Sequence, residues 1–132
     1  MNSRRLPWIV AGVAAAVLAL VLWTGRARAG HPDPRTGVTA ERVLPTSAVP
    51  RTPGSAEAYA AARSVPAMLD GVYCHCDCSK HSGHRSLLTC FESEHGAYCD
   101  ICIGEAVQVQ ELAARNVALD AIRQAIDERF GP

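Results

Sequence analysis

CDICIGEAVQVQELAARNVALDAIRQAIDERF occupies residues 99–130. In it Cys102, Ala106, Val109 and Ala113 recur at the three-and-four-residue spacing of one helical face. Leu119, Ile122, Ile126 and Phe130 repeat the pattern further on. Asn116 falls between the two sets, and asparagine is among the few residues that readily take the left-handed conformation ending a helix. The spacing predicts two helices, about 99–114 and 118–129, in place of one continuous rod. Gly131-Pro132 closes the chain.

Shorter helical signals precede this stretch. Gly96 is an expected break, and before it residues 86–94 read as a short helix whose Leu87, Leu88 and Phe91 share a face. Pro66-Ala-Met-Leu-Asp70 reads as another, opened by proline and stopped by Gly71. Alanine-rich residues 56–64 read as a third, with Ser55 as its N-cap. The fold class is therefore all-α, with a helical domain over residues 55–132. A domain of that size has a thin core and often needs a metal or disulfides to supplement it.

The rest of the chain is of a different kind. Residues 30–54 contain Pro32, Pro34, Pro45, Pro50 and Pro53, a density that removes amide donors and holds the backbone extended, so a linker is expected there. His31 reads as an exposed linker residue. Residues 1–29 begin with Arg4 and Arg5, continue as an apolar run from Leu6 to Trp23, and reach Ala27-x-Ala29. That is the order of a secretory signal. The run also comes near the lower limit of about 17 residues for a spanning helix, so a retained membrane anchor is the alternative. Ser3-Arg4-Arg5 fits a twin-arginine start as well, although Pro7 and the short basic region stand against it. Either way the domain is expected to be exported, in the periplasm or on the outer face of the cytoplasmic membrane. Formal net charge is zero and acidic and basic residues are interspersed, which leaves no basic face for nucleic acid.

All six cysteines and four of the five histidines lie between residues 74 and 102. Cys74, Cys76 and Cys78 alternate in Tyr73-Cys-His-Cys-Asp-Cys78, and Cys90, Cys99 and Cys102 follow. On a flat strand the three alternating sulfurs would be ~6.5–7 Å apart, too far for one ion bound at ~2.3 Å to each. A mononuclear site therefore needs a folded loop, whereas an extended triplet suits bridging thiolates. Cys99-Asp-Ile-Cys102, at a helix start, is expected to offer both sulfurs to one ion. His84 and His95 sit in turns beside cysteines and are candidate ligands. His75 alternates away from them, and His81 reads as a loop residue. Thiolate with imidazole favours copper as Cu(I), or zinc. The competing reading is a set of disulfides in an exported interaction module, with pairings the sequence leaves open. An iron–sulfur carrier ranks below both. Asp70, Asp100 and Glu105 read as helix-flank or surface carboxylates, and no acid–base or nucleophile constellation stands apart from the ligands, so no catalysis is expected.

Several blocks taken together resemble a known family. They are Val65-Pro-Ala-Met-Leu-Asp70, Tyr73-Cys-His-Cys-Asp-Cys78, Gly83-His-Arg-Ser-Leu-Leu88, Cys90-Phe91 and His95-Gly-Ala-Tyr-Cys-Asp-Ile-Cys102. Their joint spacing is similar to that of the bacterial PCYCGC-motif (CYCNC-like) family of exported small proteins. This chain departs from the motif with Tyr73 for proline, His75 for tyrosine and Asp77 for glycine, and it has no cysteine placed for a lipid anchor. The resemblance implies metal binding; the family's function is otherwise undescribed. The expectation is an extracytoplasmic protein that sequesters or delivers Cu(I) through Cys74, Cys76, Cys78, Cys90, Cys99 and Cys102, with His84 and His95. The alternatives are a disulfide-stapled module and a purely structural zinc.

Overall fold

The structure, a computed structural model, describes Ala14 and residues 30–132. The expected signal or anchor helix lies outside the described residues. Those described form helices joined by turns, with no strand among them. No helix among them is long and apolar enough to cross a membrane.

The helices follow in chain order as α1 (Ser55–Ser64), α2 (Pro66–Asp70), α3 (Cys78–His81), α4 (Leu87–Phe91), α5 (Asp100–Ala114) and α6 (Leu119–Phe130). Short 3₁₀ turns cover Ala40–Arg42, Thr46–Ala48 and Glu94–Tyr98. The two long C-terminal helices fall where periodicity places them. Asn116 stands between them at φ 58°. Its N–H bonds the Ala113 carbonyl and the Val117 N–H reaches back to Leu112. This is a Schellman ending, and the half-buried Leu112 and Val117 supply the apolar pair that accompanies it.

Helix α1 lies along α5, and α6 folds back on α5. Between these helices and α4 sit the buried Tyr59, Leu69, Leu87, Leu88, Phe91, Val109, Ile122 and Ile126. Tyr59 and Phe91 meet edge to face with centroids 4.9 Å apart, the arrangement favoured by the ring quadrupoles. The Tyr59 hydroxyl donates to the Ser93 carbonyl at 2.6 Å, so this buried phenol keeps a partner. Ser55 does not cap α1 through its side chain; Gly54, at φ 76°, is the N-cap. The Ser55 hydroxyl instead accepts from the Thr52 N–H and faces the Pro50 and Thr52 carbonyls.

The proline-rich segment is not a free linker; residues 30–54 run as a strap across the helices. Val43 is buried in the core. The Leu44 N–H bonds the Phe91 carbonyl at 2.9 Å, and Arg63 of α1 donates to the carbonyls of Ala40 and Val43. Asp70 is the main anchor. It is fully buried, contrary to its reading as a surface carboxylate. The Arg35 guanidinium pairs with it at 2.8 Å, Arg85 does so at 2.8 Å, and the Ser86 hydroxyl donates at 2.9 Å. A buried carboxylate needs this kind of compensation. Through it the strap is tied to the residues that follow Gly83-His84.

Candidate metal centre

The cysteine triplet is folded, not extended. Asp77 takes φ 60°, and its N–H reaches the Cys74 carbonyl at 3.2 Å, closing a tight turn. Aspartate is one of the few residues other than glycine to visit this region, because its short polar side chain bonds locally. Here the carboxylate accepts from the Tyr73 hydroxyl at 2.7 Å and from Lys80 at 2.9 Å. A left-handed turn therefore forms here with aspartate at the motif's glycine position. As a result Cys74 and Cys76 sulfurs are 3.3 Å apart, about half the spacing of an extended strand.

Cys78 opens α3, and its carbonyl accepts from the N–H groups of Ser82 and His84. Gly83, at φ 69°, makes the second of these bonds attainable by turning the chain back. That brings His84 to the cluster, with Nδ1 3.3 Å from the Cys90 sulfur of α4. His95, in the Glu94–Tyr98 turn, places Nε2 3.1 Å from the Cys78 sulfur. Cys102 enters from the first turn of α5, 3.4 Å from Cys74 and 3.5 Å from Cys76.

Three sets of four donors result, each with its ligand atoms within 4.8 Å of one another: Cys74, Cys78, Cys90 and Cys102; Cys76, Cys78, Cys102 and His95; and Cys78, His84, Cys90 and His95. A tetrahedron of sulfurs around zinc at ~2.3 Å has edges near ~3.8 Å, so these sets have the size a metal ion requires. The first is buried throughout, while Cys76, His84 and His95 are partly exposed. All six cysteines are free thiols, and the closest sulfurs stand well beyond the ~2.05 Å of a disulfide. Sulfur contacts, which pull in both directions, together with burial leave the thiols of Cys74, Cys90 and Cys102 above the ordinary thiol range. Burial, with His95 and His81 alongside, holds the His84 imidazole below its usual value. It is thus neutral at pH 7, the form that ligates metal.

Seven of the eight sequence candidates converge. Cys99 does not join any of the three sets. The expectation of a shared bite assumed that residues 99 and 102 are both helical, since only then do i and i+3 face one way. Cys99 is the N-cap of α5, with extended backbone at φ −130° and ψ 109°, so it stands outside the helical turn that carries Cys102. His81 is exposed, and one ring nitrogen faces the Cys76 carbonyl at 3.1 Å.

A buried ionic array beside the sulfurs was not anticipated. His75 Nδ1 is 2.6 Å from Glu105, and its Nε2 is 3.0 Å from Asp127. His31 Nε2 shares the same Asp127 oxygen at 3.0 Å, while its Nδ1 accepts the Tyr73 N–H. His31 is therefore not an exposed linker residue; its side chain is 8% exposed. The hydrogen bond to Glu105 raises the pKa of His75 against the effect of burial. Burial lowers that of His31 in spite of Asp127. The second oxygens of Glu105 and Asp127 are buried without a hydrogen-bond partner among the described residues. Glu105 could have been recognised, because it lies three residues after Cys102 on the buried face of α5. Nothing adjacent to His31 in the chain reveals its partner 96 residues away.

Helical architecture and donor geometry define a small all-α protein whose core is built around a cysteine- and histidine-rich candidate metal centre. Within that class, the chain belongs to the family described as protein of unknown function with PCYCGC motif, whose model matches residues 29–132. The match includes the strap as well as the helices. No curated protein matches the chain, and no solved structure does.

Proposed function

We propose that this protein binds a soft metal ion, Cu(I) ahead of Zn(II), outside the cytoplasm, and stores or delivers it without catalysing a reaction. The observation that carries the reading is the convergence of four sulfurs and two imidazoles on Cys78 from distant parts of the chain. Thiolate-rich donor sets select Cu(I) and zinc over Mg, Ca and Mn. The basic, apolar and Ala-x-Ala order of residues 1–29 supports export. In an oxidising compartment, sulfurs this close form disulfides unless something holds them, and a bound ion does so. The partly exposed Cys76, His84 and His95 give an ion a way in and out, as storage or delivery requires.

A second reading has its own support. Cys74, Cys78, Cys90 and Cys102 form an all-cysteine set buried on every side, the donor set of a closed structural zinc site. One experiment addresses both readings. The full chain is expressed in cells supplied with copper and zinc, and purified without chelator from whichever fraction holds it. Native mass spectrometry is then run beside a thiol count under denaturing conditions. Bound copper, with at least four of the six cysteines recovered as thiols, is the expected result. A single zinc that resists exchange by Cu(I) favours the structural ion. A metal-free chain six hydrogens light, with every cysteine in a disulfide, overturns metal binding altogether.

A further inference from the structure

Three four-donor sets drawn from seven residues must share donors, and the pattern of sharing is specific. Cys78 belongs to all three sets, Cys90 and Cys102 to two each, and His95 to two. A thiolate sulfur has several lone pairs and bridges metal ions readily. A ring nitrogen of imidazole has one, so the His95 nitrogen facing Cys78 completes one set only. The set it leaves retains three donors: either Cys78, His84 and Cys90, or Cys76, Cys78 and Cys102.

Resting on the Cu(I)-binding reading above, we infer that these residues form one polynuclear cluster, bridged by the Cys78 sulfur, that takes three Cu(I) ions but only two tightly held Zn(II) ions. Cu(I) is stable with three donors, so every set is usable. Zinc takes four ligands, and the set that lacks His95 has to complete its shell with water, so it holds zinc less tightly than the other two. Neighbouring sets share an edge of two sulfurs, Cys78–Cys102 on one side and Cys78–Cys90 on the other, which sets the ions side by side. The ions also differ in access. The all-sulfur set is buried, while the two sets containing histidine reach partly exposed side chains, so exchange begins at the latter.

The test is an anaerobic Cu(I) titration of the full chain followed by native mass spectrometry and X-ray absorption, with a parallel zinc titration. Three Cu(I) with a copper–copper neighbour in the absorption spectrum, and two Zn(II), are expected. His95→Ala should leave Cu(I) at three and lower tightly held zinc from two to one, because only the all-cysteine set then keeps four donors. Cys78→Ser should lower Cu(I) from three to two and leave no four-donor set for zinc; because Cys78 is buried, circular dichroism must accompany that variant. His95 is partly exposed, so its variant reads the cluster without disturbing the core. One Cu(I) per chain with no copper neighbour overturns the cluster and leaves the metal-binding reading standing. Two Cu(I) per wild-type chain, or tightly held zinc unmoved by His95→Ala, also overturn it. No bound metal, with disulfides in place of thiols, overturns both.

Discussion

Asp70 shows how much of this protein depends on single buried charges. Burial alone would raise its pKa, but the Arg35 guanidinium and N–H and the Ser86 hydroxyl reverse that and hold the carboxyl at about 2, below the ordinary 3.8. A carboxylate whose pKa falls on folding stabilises the native state above its unfolded value and loses that contribution as the pH drops through the folded one. The difference amounts to about 2 kcal/mol, fully present above pH 3.8 and gone below about 2. Wild type should therefore lose stability relative to Asp70→Asn across that window, as followed by urea unfolding at successive pH values. A constant difference between the two would show that folding leaves the Asp70 pKa unchanged. In sequence Asp70 is just the last residue of a short helix, and what separates it from a solvated aspartate is its partners. Arg35 lies 35 residues away, and Ser86 lies 16 away. Glu105 and His75 pose the same problem, 30 residues apart. Residue types and local spacing picked out the seven clustered candidate donors because ligation chemistry is restricted to a few amino acids. The surrounding carboxylates are common residues, and their roles come from contacts that only the fold creates.

Among the elements, those whose ends are set locally match expectation, and those set by packing do not. Asn116 and the periodic apolar faces around it place α5 and α6, because helix period and left-handed caps are properties of short segments. Pro66 and Gly71 likewise bound α2 as read. Gly96 differs. It is not a simple break but a point of close approach inside the Glu94–Tyr98 turn. A methyl group there would come within 2.9 Å of the Phe91 ring and 3.0 Å of the Cys90 carbonyl. Phe91 is buried against Tyr59 and has little room to yield, so Gly96→Ala should cost about 1–3 kcal/mol, the usual range for overpacking. Thermal unfolding of the metal-free protein measures this directly. Because the turn carries His95 and the carbonyl belongs to Cys90, the same variant should bind Cu(I) more weakly than wild type. A Gly96→Ala protein as stable as wild type would mean that Phe91 moves freely, and that the turn is not held by its packing. Cys99 teaches the complementary lesson: C-x-x-C spacing is legible in sequence, but which side of a helix start the first cysteine occupies is decided by one pair of backbone angles.

On the scale of the whole molecule, the core is shared between apolar side chains and candidate metal donors. Cys74, Cys78, Cys90 and Cys102 are buried in the same cluster as Leu69, Leu88, Val109 and Ile122. The sequence announces both ingredients, but not that they occupy one space, because that depends on how the strap, the folded triplet and α5 close over each other. The consequence is energetic. The donors come from the triplet loop, α3, the turn before α4, α4 itself, the Glu94–Tyr98 turn and α5, so an ion ties together segments that a thin core joins only weakly. A ligand that binds the native state alone stabilises it by about 2.7 kcal/mol at a free concentration one hundred times its dissociation constant. For a chain of this size, 1 kcal/mol moves the melting temperature by roughly 4–8 °C. Metal at that level should raise the midpoint by on the order of 10–20 °C, and a chelator should return it to the metal-free value. Differential scanning calorimetry of reduced protein with and without Cu(I) gives the number. Because the strap is bound to the same body through Arg35, His31 and Val43, the transition should stay single in both states. A midpoint unmoved by metal would mean that the donors bind no ion in the folded state, whatever their geometry. A rise confined to one of two transitions would mean that the strap and the helices melt apart, with the metal holding only the second.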